Sequence, residues 1–433
     1  MKKSFYNFQF PSETGKCILY NTRTGAMAEL DEEHTRKYNE YPLEKLQEEM
    51  PEFVEALLTN GYVIEDDVSE LDIIRYQSLQ YRFGLHSYNV TLAPTMGCNF
   101  ACIYCYEKDR QIKHTMDEAT KEATFEYIKN HIFPKGALNL TWYGGEPLLA
   151  LDTVLELSAR FSEVCKEKEA RCSFNMITNG YLLTQETAKK LVEVGIKEFQ
   201  ITLDGDEQTH NSRRTLRNGG ESYQKIWDNL IKLQSFRKEI KILLRVNVDK
   251  ENYQAVTEMS ERIKKEGFSD FIIVYPGKVI AEGKCYQKES CFDNQEFALL
   301  EQQYFCDNQY LLPNMYPHPR HIFCMADSDR SIVIDPDGNL YKCTMEIGNE
   351  KFTIGNVMDK KQKYRPHQFR YLLQDNPKED CLKCKYYPIC LGGCPHTKMD
   401  GNIDCSSMRY SLEKYMEYFP NVMRRAKKMH DEG

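Results

Sequence analysis

From residue 85 to about residue 276 the chain alternates short apolar runs with stretches whose apolar residues return every three or four positions, the pattern of parallel strand–turn–helix units. Six runs read as strands: Tyr88 to Ala93, Ala137 to Tyr143, Cys172 to Thr178, Glu198 to Leu203, Ile240 to Asn247 and Phe271 to Tyr275. Between them, Thr115 with Glu118 makes a capping box, Gly195 and Gly267 end helices, and Val256, Met259 and Ile263 form a buried stripe. Six units are too few to close an eight-stranded barrel. The pattern predicts an α/β core, an open (β/α)6 partial barrel, over residues 85–276.

Ahead of this core, Lys16 to Leu30 reads as a hairpin around Asn21-Thr-Arg-Thr-Gly25. Asp31 caps a helix, Phe53, Leu57 and Leu58 form a stripe that stops at Asn60-Gly61, and Tyr62-Val-Ile-Glu is a short wing before a helix over Leu71 to Tyr81. This order predicts a small winged-helix-like domain over residues 1–80. After the core the periodicity dissolves into a connector, residues 277–323, followed by a cysteine-bearing domain, 324–433. That domain contains a hairpin over Ser331 to Tyr341 with its turn at Asp337-Gly338.

Composition narrows the class. At 433 residues, two or three domains are expected, and 41% hydrophobic content is enough for ordinary cores. A net charge of −8 with acids and bases interspersed gives no polyanion-binding stripe, so no nucleic-acid partner is expected. Arg424-Arg-Ala-Lys-Lys428 is read as the solvated basic end of a C-terminal helix. Met1 to Phe10 lacks an apolar signal core and no apolar run approaches membrane-spanning length, which points to a cytoplasmic protein with no membrane partner. Sixteen cysteines without secretory features indicate metal or redox chemistry rather than a disulfide framework. Six of them, Cys17, Cys165, Cys172, Cys285, Cys291 and Cys306, are scattered and read as small buried hydrophobes.

The other ten fall in two groups, and the first organises the chain. Directly after the first core strand comes Cys98-Asn-Phe-Ala-Cys102-Ile-Tyr-Cys105. Three thiolates in one loop can hold three irons of a [4Fe–4S] cube and leave the fourth iron open for a ligand, which implies chemistry rather than electron storage. Structural zinc instead favours paired C-x2-C knuckles. With Gly97, Tyr104 and Tyr106, this run resembles the signature of radical S-adenosylmethionine (radical SAM) enzymes. The resemblance implies that SAM binds the open iron through its amine and carboxylate, and that one-electron cleavage gives a 5′-deoxyadenosyl radical that abstracts hydrogen from a substrate. It further implies a reducing flavodoxin- or ferredoxin-type electron donor.

The strand-end loops carry the rest of the resemblance. Gly144-Gly145-Glu146-Pro147 matches the family's GGEP motif, in which backbone and acid bind the SAM amine. Thr178-Asn179-Gly180 and Leu203-Asp204-Gly205 match turns that line the SAM site, with Asp204 expected at the ribose, and Tyr104 would lie against the adenine. His210-Asn-Ser-Arg-Arg214 resembles an H-x3-R segment whose Arg214 holds the SAM carboxylate, and Asn247 ends strand five at the same pocket.

The second group is Cys324, Cys343, Cys381-x2-Cys384-x5-Cys390-x3-Cys394 and Cys405. It matches the seven-cysteine SPASM domain of radical SAM peptide and protein maturases, which carries two auxiliary [4Fe–4S] clusters. By that pattern Cys324, Cys343 and Cys394 hold one cluster, and Cys381, Cys384, Cys390 and Cys405 the other, making three clusters in all. The fourth ligand of the first auxiliary cluster stays open among His318, His321, Cys306 and no protein ligand. The N-terminal module resembles the leader-recognition element of ribosomal-peptide maturases, which adds a precursor's leader as a strand to a sheet edge. Together these features imply a maturase that crosslinks a precursor peptide, with a thioether from cysteine to carbon favoured and a carbon–carbon link next. Sulfatase maturases share the two later domains but carry an aspartate directly after the cysteine equivalent to Cys343, where this chain has Thr344.

Overall fold

The computed structural model describes residues 1–12, 15–85, 87–107, 114–280, 286–308, 316–361, 364–373, 379–399 and 405–418. Cys285 and the basic run Arg424 to Lys428 lie outside the described residues. The chain folds as two compact units that interleave in sequence: Met1–Arg82 with Asp293–Cys324 and Gln374–Gly433, and Phe83–Phe292 with Met325–Leu373. These units cut across the expected boundaries. The connector and most of the cysteine-bearing segment join the N-terminal module, while residues 325–373 join the core.

In the first unit, β1 (Lys2–Lys3) pairs antiparallel with β5 (Val63–Ile64), and β2 (Asn7–Pro11), β3 (Cys17–Asn21) and β4 (Met27–Leu30) form a second sheet in the order β2-β3-β4. The hairpin and the wing fall where the sequence places them. The strand Asn7–Pro11 is an addition. Asp31 caps α1 (Glu32–Glu40) by accepting from the His34 N–H at 2.8 Å, and α2 (Leu43–Glu49) and α3 (Pro51–Thr59) follow. Leu19, Tyr38, Leu46, Val54 and Leu57 are all at or below 2% exposure and close one core between sheet and helices. The turn after β3 is held by Asn21, whose amide reaches Asn7 Oδ1 at 2.8 Å and whose Oδ1 accepts from the Arg23 and Thr24 N–H groups, each at 3.0 Å. A buried amide with all its groups paired specifies one turn geometry. Helix α4 (Glu70–Phe83) follows the wing.

In the second unit the six expected strands all form. They are β6 (Tyr88–Leu92), β7 (Ala137–Trp142), β8 (Arg171–Thr178), β9 (Ile196–Thr202), β10 (Lys241–Val248) and β11 (Ile272–Lys278), all parallel between neighbours. Helices α5 (Glu118–His131), α6 (Leu151–Glu167), α7 (Gln185–Glu193), α8 (Glu207–Arg213), α9 (Tyr223–Leu233) and α10 (Ala255–Lys265) intervene. Helix α5 is capped by Asp117, which accepts from the Thr120 N–H at 2.8 Å, and not by the expected Thr115 box. Val256, Met259 and Ile263 are buried as their spacing predicts. Cys172, expected inside, is exposed because β8 begins at the solvent-facing end of the sheet.

The sheet does not stop at six strands. β12 (Ser331–Ile334) adds to β6 in parallel, Ile332 opposite Val90, and β13 (Asn339–Tyr341) and β14 (Gly355–Asn356) extend it to nine strands in the order β11-β10-β9-β8-β7-β6-β12-β13-β14. The hairpin expected in the C-terminal domain therefore covers what would be an edge of the core sheet. Val333 and Ile334 are fully buried there, so the β6 edge is closed by apolar side chains as well as by the ladder. Because neighbouring strands are parallel, the loops after β6, β7, β8, β9 and β10 all leave at one edge, the edge where such folds place reacting groups. Among the described residues no helix is long and apolar enough to cross a membrane.

Candidate functional site

The loop after β6 carries Cys98, Cys102 and Cys105, and its backbone is held as though it were a strand. Ala101 N–H donates to Thr215 O at 2.8 Å, Ile103 N–H to Arg213 O at 3.0 Å and Arg217 N–H to Asn99 O at 2.9 Å, so residues 213–217 form its second rail. The three thiols line one cavity of about 130 Å³ with Phe100, Ala101, Glu107, Gly145 and Arg217. Burial pushes the Cys98 thiol up to about 12 and the Cys105 thiol up to about 11, and raises Cys102 as well, against the pull of Arg214. Among the described residues no three His, Cys, Asp or Glu side chains converge as a single ion requires. A cube distributes its thiolates over separate irons and needs no such convergence.

The GGEP loop packs directly on this loop. Gly145 N–H donates to Thr95 O at 3.3 Å and Glu146 N–H to Gly97 O at 2.9 Å. A Cβ on Gly145 would stand 2.3 Å from Gly97 O and 2.4 Å from Met96 O, so it is the cysteine loop itself, not only a ligand, that demands glycine here. Gly145→Ala is expected to push the loop off its seat at a cost of about 1–3 kcal/mol. The variant should keep its far-UV circular dichroism while taking up less iron on anaerobic reconstitution.

Glu146 is fully buried and accepts from the Leu148 N–H at 3.0 Å, the Thr178 hydroxyl at 2.7 Å and the Asn179 N–H at 2.8 Å. Burial raises its pKa, and these three bonds oppose the rise. Glu146 therefore ties the loop after β7 to the loop after β8, a use of the acid that the motif alone did not reveal. Asn179 in turn donates to Asn99 Oδ1 at 2.7 Å and locks the β8 loop to the cysteine loop.

Tyr104, Asp204, Arg214 and Asn247 meet at one point. The Tyr104 hydroxyl donates to Asp204 Oδ2 at 2.5 Å and accepts from Arg214 Nη1 at 2.8 Å and Asn247 Nδ2 at 3.0 Å. Asp204 also accepts from the Asn247 N–H at 3.1 Å. Arg214 is placed by the H-x3-R segment. His210, which burial and Arg214 hold neutral, accepts the Asp204 N–H on Nδ1 at 3.2 Å, so its Nε2–H donates to Ser222 Oγ at 3.0 Å. The Ser222 hydroxyl then donates to Arg214 O at 2.6 Å. The Arg214 Nε is buried with no hydrogen-bond partner among the described residues.

Sequence reasoning missed several participants. Arg217 donates to Cys98 O at 2.6 Å, and Arg213 pairs with Asp249 at 2.8 Å and Asp204 at 3.5 Å. The hydroxyls of Tyr106 and Tyr143 bond to each other, with Glu107 against Tyr143, and Tyr106 lies within electrostatic reach of both Cys105 and Cys343. Adjacency of two arginines was the one signal available for Arg213. Tyr106 stands in the cysteine-loop signature, but its pairing with Tyr143, 37 residues away, had no signal.

In the first unit Cys381, Cys384, Cys390 and Cys405 line a single cavity of about 540 Å³, where Arg409 donates to Cys405 Sγ at 3.4 Å. Of the other expected set, Cys324 and Cys394 belong to this unit and Cys343 to the second. His318 packs on Tyr316 at 4.6 Å between ring centres and His321 on Tyr81 at 5.7 Å, whereas Cys306 lies beside Lys414 and Glu417 of the helix over 408–418.

Parallel strands whose C-terminal loops gather three cysteines are the framework of a cluster-dependent enzyme core, and residues 92–259 match the radical SAM superfamily. Domains of that superfamily use SAM and a [4Fe–4S] cluster, and this site fits both: three thiols share one cavity, and a buried arginine nitrogen still seeks an acceptor. The chain is 23% identical over 361 residues to a cysteine-type anaerobic sulfatase-maturating enzyme of Clostridium perfringens (strain 13 / Type A), covering 76% of this chain and 95% of that protein. Among solved structures it resembles native anSMEcpe with bound AdoMet and Cp18Cys peptide, with a TM-score of 0.62, 19% identity and coverage of 79% of this chain and 99% of that one. It also resembles Streptococcus suis SuiB bound to precursor peptide SuiA, with a TM-score of 0.54, 16% identity and coverage of 93% and 97%. At these identities the two structures speak for the fold alone.

Proposed function

We propose that the protein is a radical SAM maturase that oxidatively crosslinks a ribosomally made precursor peptide, joining a cysteine sulfur to a carbon. The observation that carries this reading is the N-terminal module. The likeness to SuiB, whose solved complex holds a precursor peptide, covers 93% of this chain, which leaves too little uncovered for residues 1–80 to fall outside it. The likeness to the sulfatase-maturase structures covers 79%.

Cys98, Cys102 and Cys105 would hold the SAM-binding cluster, Arg214 through its unpaired Nε the SAM carboxylate, and Asp204 and Asn247 the polar groups of the nucleoside. That cluster and SAM, when bound, would supply the radical chemistry that removes one hydrogen atom from a substrate carbon. Forming a carbon–sulfur bond then requires the peptide to give up one proton, from the thiol, and one electron. An acceptor for that electron is needed. The cysteine cavity at Cys381, Cys384, Cys390 and Cys405 would house an auxiliary cluster suited to accept it. A flavodoxin- or ferredoxin-type donor would provide the initiating electron.

The leader would add as a strand to the β2-β3-β4 sheet, giving main-chain affinity apart from the reacting residues. The edge proposed for it is β4, since Lys385 Nζ donates to Asn7 O at 3.0 Å on the β2 side. Sulfatase maturation is the second reading, favoured by the Clostridium relative. Thr344 speaks against it, since no carboxylate follows Cys343 directly. Anaerobic incubation with candidate precursor peptides and with a sulfatase-derived cysteine peptide, read by mass spectrometry, separates the two. Loss of two hydrogens with consumption of a thiol supports the crosslinking reading, and conversion of a cysteine to an aldehyde supports the other.

A further inference from the structure

The N-terminal module is fastened to the segment that carries Cys381 and Cys384 by contacts too specific for a tethered recognition domain. The Thr22 hydroxyl donates to Lys385 O at 2.6 Å, and Lys385 Nζ returns to Asn7 O at 3.0 Å, so the residue next to Cys384 is held at both its backbone and its side chain. Phe8 meets Tyr386 at 4.9 Å between ring centres. Tyr6 and Ile74 are buried in one cluster with Tyr387 and Leu391, and Leu71 and Cys381 pack against it. Three successive residues after Cys384 are thus each gripped by a different side chain of the module.

The same hairpin turn grips the stretch that leads towards Cys324. Tyr316 donates its hydroxyl to Gly25 O at 2.7 Å, and the Tyr20 hydroxyl bonds Pro317 O. Gly25 has φ of +74°, and a Cβ there would lie 2.9 Å from Pro319 Cδ. Arg320 N–H then donates to Pro388 O at 2.8 Å, joining this stretch to the cysteine segment. The turn over 21–25 is therefore a shared seat for both, and Asn21 keeps it in one shape.

We infer that Thr22 and Tyr6 are positioning residues for the auxiliary cluster expected at Cys381, Cys384, Cys390 and Cys405, acting through Lys385 and Tyr387. The inference rests on the maturase reading only for the presence of that cluster. Metal sites depend on such outer contacts to orient their ligands and tune the metal. A seat made by the N-terminal module also fixes that module's sheet relative to the cluster. Truncation of residues 1–80 would consequently disturb the cysteine segment itself, because it strips Tyr6 and Ile74 from Tyr387, Leu391 and Cys381.

The test uses full-length protein, reconstituted anaerobically without any peptide. Thr22→Val, which keeps the shape and removes the donor, and Lys385→Met are compared with wild type, with Thr22→Ser as the conservative rescue and Cys381→Ala as the cluster control. Iron per chain, the electron paramagnetic resonance spectrum of the reduced clusters and their midpoint potentials are measured. The expected result is that Thr22→Val and Lys385→Met lose up to one cube's worth of iron, or keep it with an altered spectrum and potential. Thr22→Ser should match wild type, and circular dichroism should be unchanged in all. Wild-type iron, spectrum and potential in Thr22→Val and Lys385→Met, with Cys381→Ala losing a cube, would overturn the inference alone. Wild-type iron in Cys381→Ala would overturn the inference together with the auxiliary cluster on which it rests.

Discussion

Replacing Cys98, Cys102 and Cys105 together by alanine is expected to reduce SAM cleavage to the level of a protein-free control and to remove one cube's worth of iron. The three thiols line one cavity of about 130 Å³, held between two rails of main-chain hydrogen bonds, and among the described residues no other cysteine lines it. The loop should survive the substitution, because Thr215, Arg213 and Arg217 grip its backbone rather than its side chains. Circular dichroism therefore stays constant while the visible absorption of the iron–sulfur centre and the release of 5′-deoxyadenosine fall together. Retained deoxyadenosine production in a folded triple variant would place the radical chemistry elsewhere.

The second large effect separates radical generation from peptide modification. Cys381→Ala or Cys384→Ala should leave uncoupled SAM cleavage within a few-fold of wild type. Crosslinking should fall by about 100-fold or more, since a ligand of the proposed auxiliary cluster would be lost outright where even an outer contact is worth about 10–100-fold. The compact units give the physical reason for this independence: Cys381 and Cys384 lie in the unit built on the N-terminal module, whereas Cys98, Cys102 and Cys105 lie in the parallel sheet. Two assays on one preparation, deoxyadenosine by chromatography and peptide mass, read the separation. Equal loss of both activities would contradict it.

The parallel core was legible because its strands are short apolar runs punctuated by glycine, and every expected strand from Tyr88 to Tyr275 has its counterpart. What escaped was non-local. The partnership of β12 with β6 spans more than two hundred residues, and nothing in the local pattern of Ser331 to Ile334 distinguishes an edge hairpin from a strand of the core sheet. The Thr115 box failed for a local reason: Asp117 offers a carboxylate one residue before the helix, and a carboxylate is at least as good a cap as a hydroxyl.

At the site, the cysteine spacing and the loop motifs named residues that the fold brings together, and Tyr104, Asp204, Arg214 and Asn247 converge. Their individual tasks were less legible. Glu146 is used between loops, and Gly145 answers to the Gly97 carbonyl, because motif matching reports which residue stands at a position but not which neighbour presses on it. The seat between the turn over 21–25 and Lys385 was invisible for the same reason. A threonine and a lysine more than three hundred residues apart carry no pattern.

The most direct test of the central claim is the mass of a precursor peptide after anaerobic turnover with the reconstituted full-length protein, SAM and a reductant, alongside quantitation of 5′-deoxyadenosine and free thiol. The account predicts a loss of two hydrogens and one thiol per crosslink, with deoxyadenosine formed in step and fragmentation showing a closed ring. A peptide that emerges with its thiols intact and unlinked, or with a cysteine turned into an aldehyde, would contradict it.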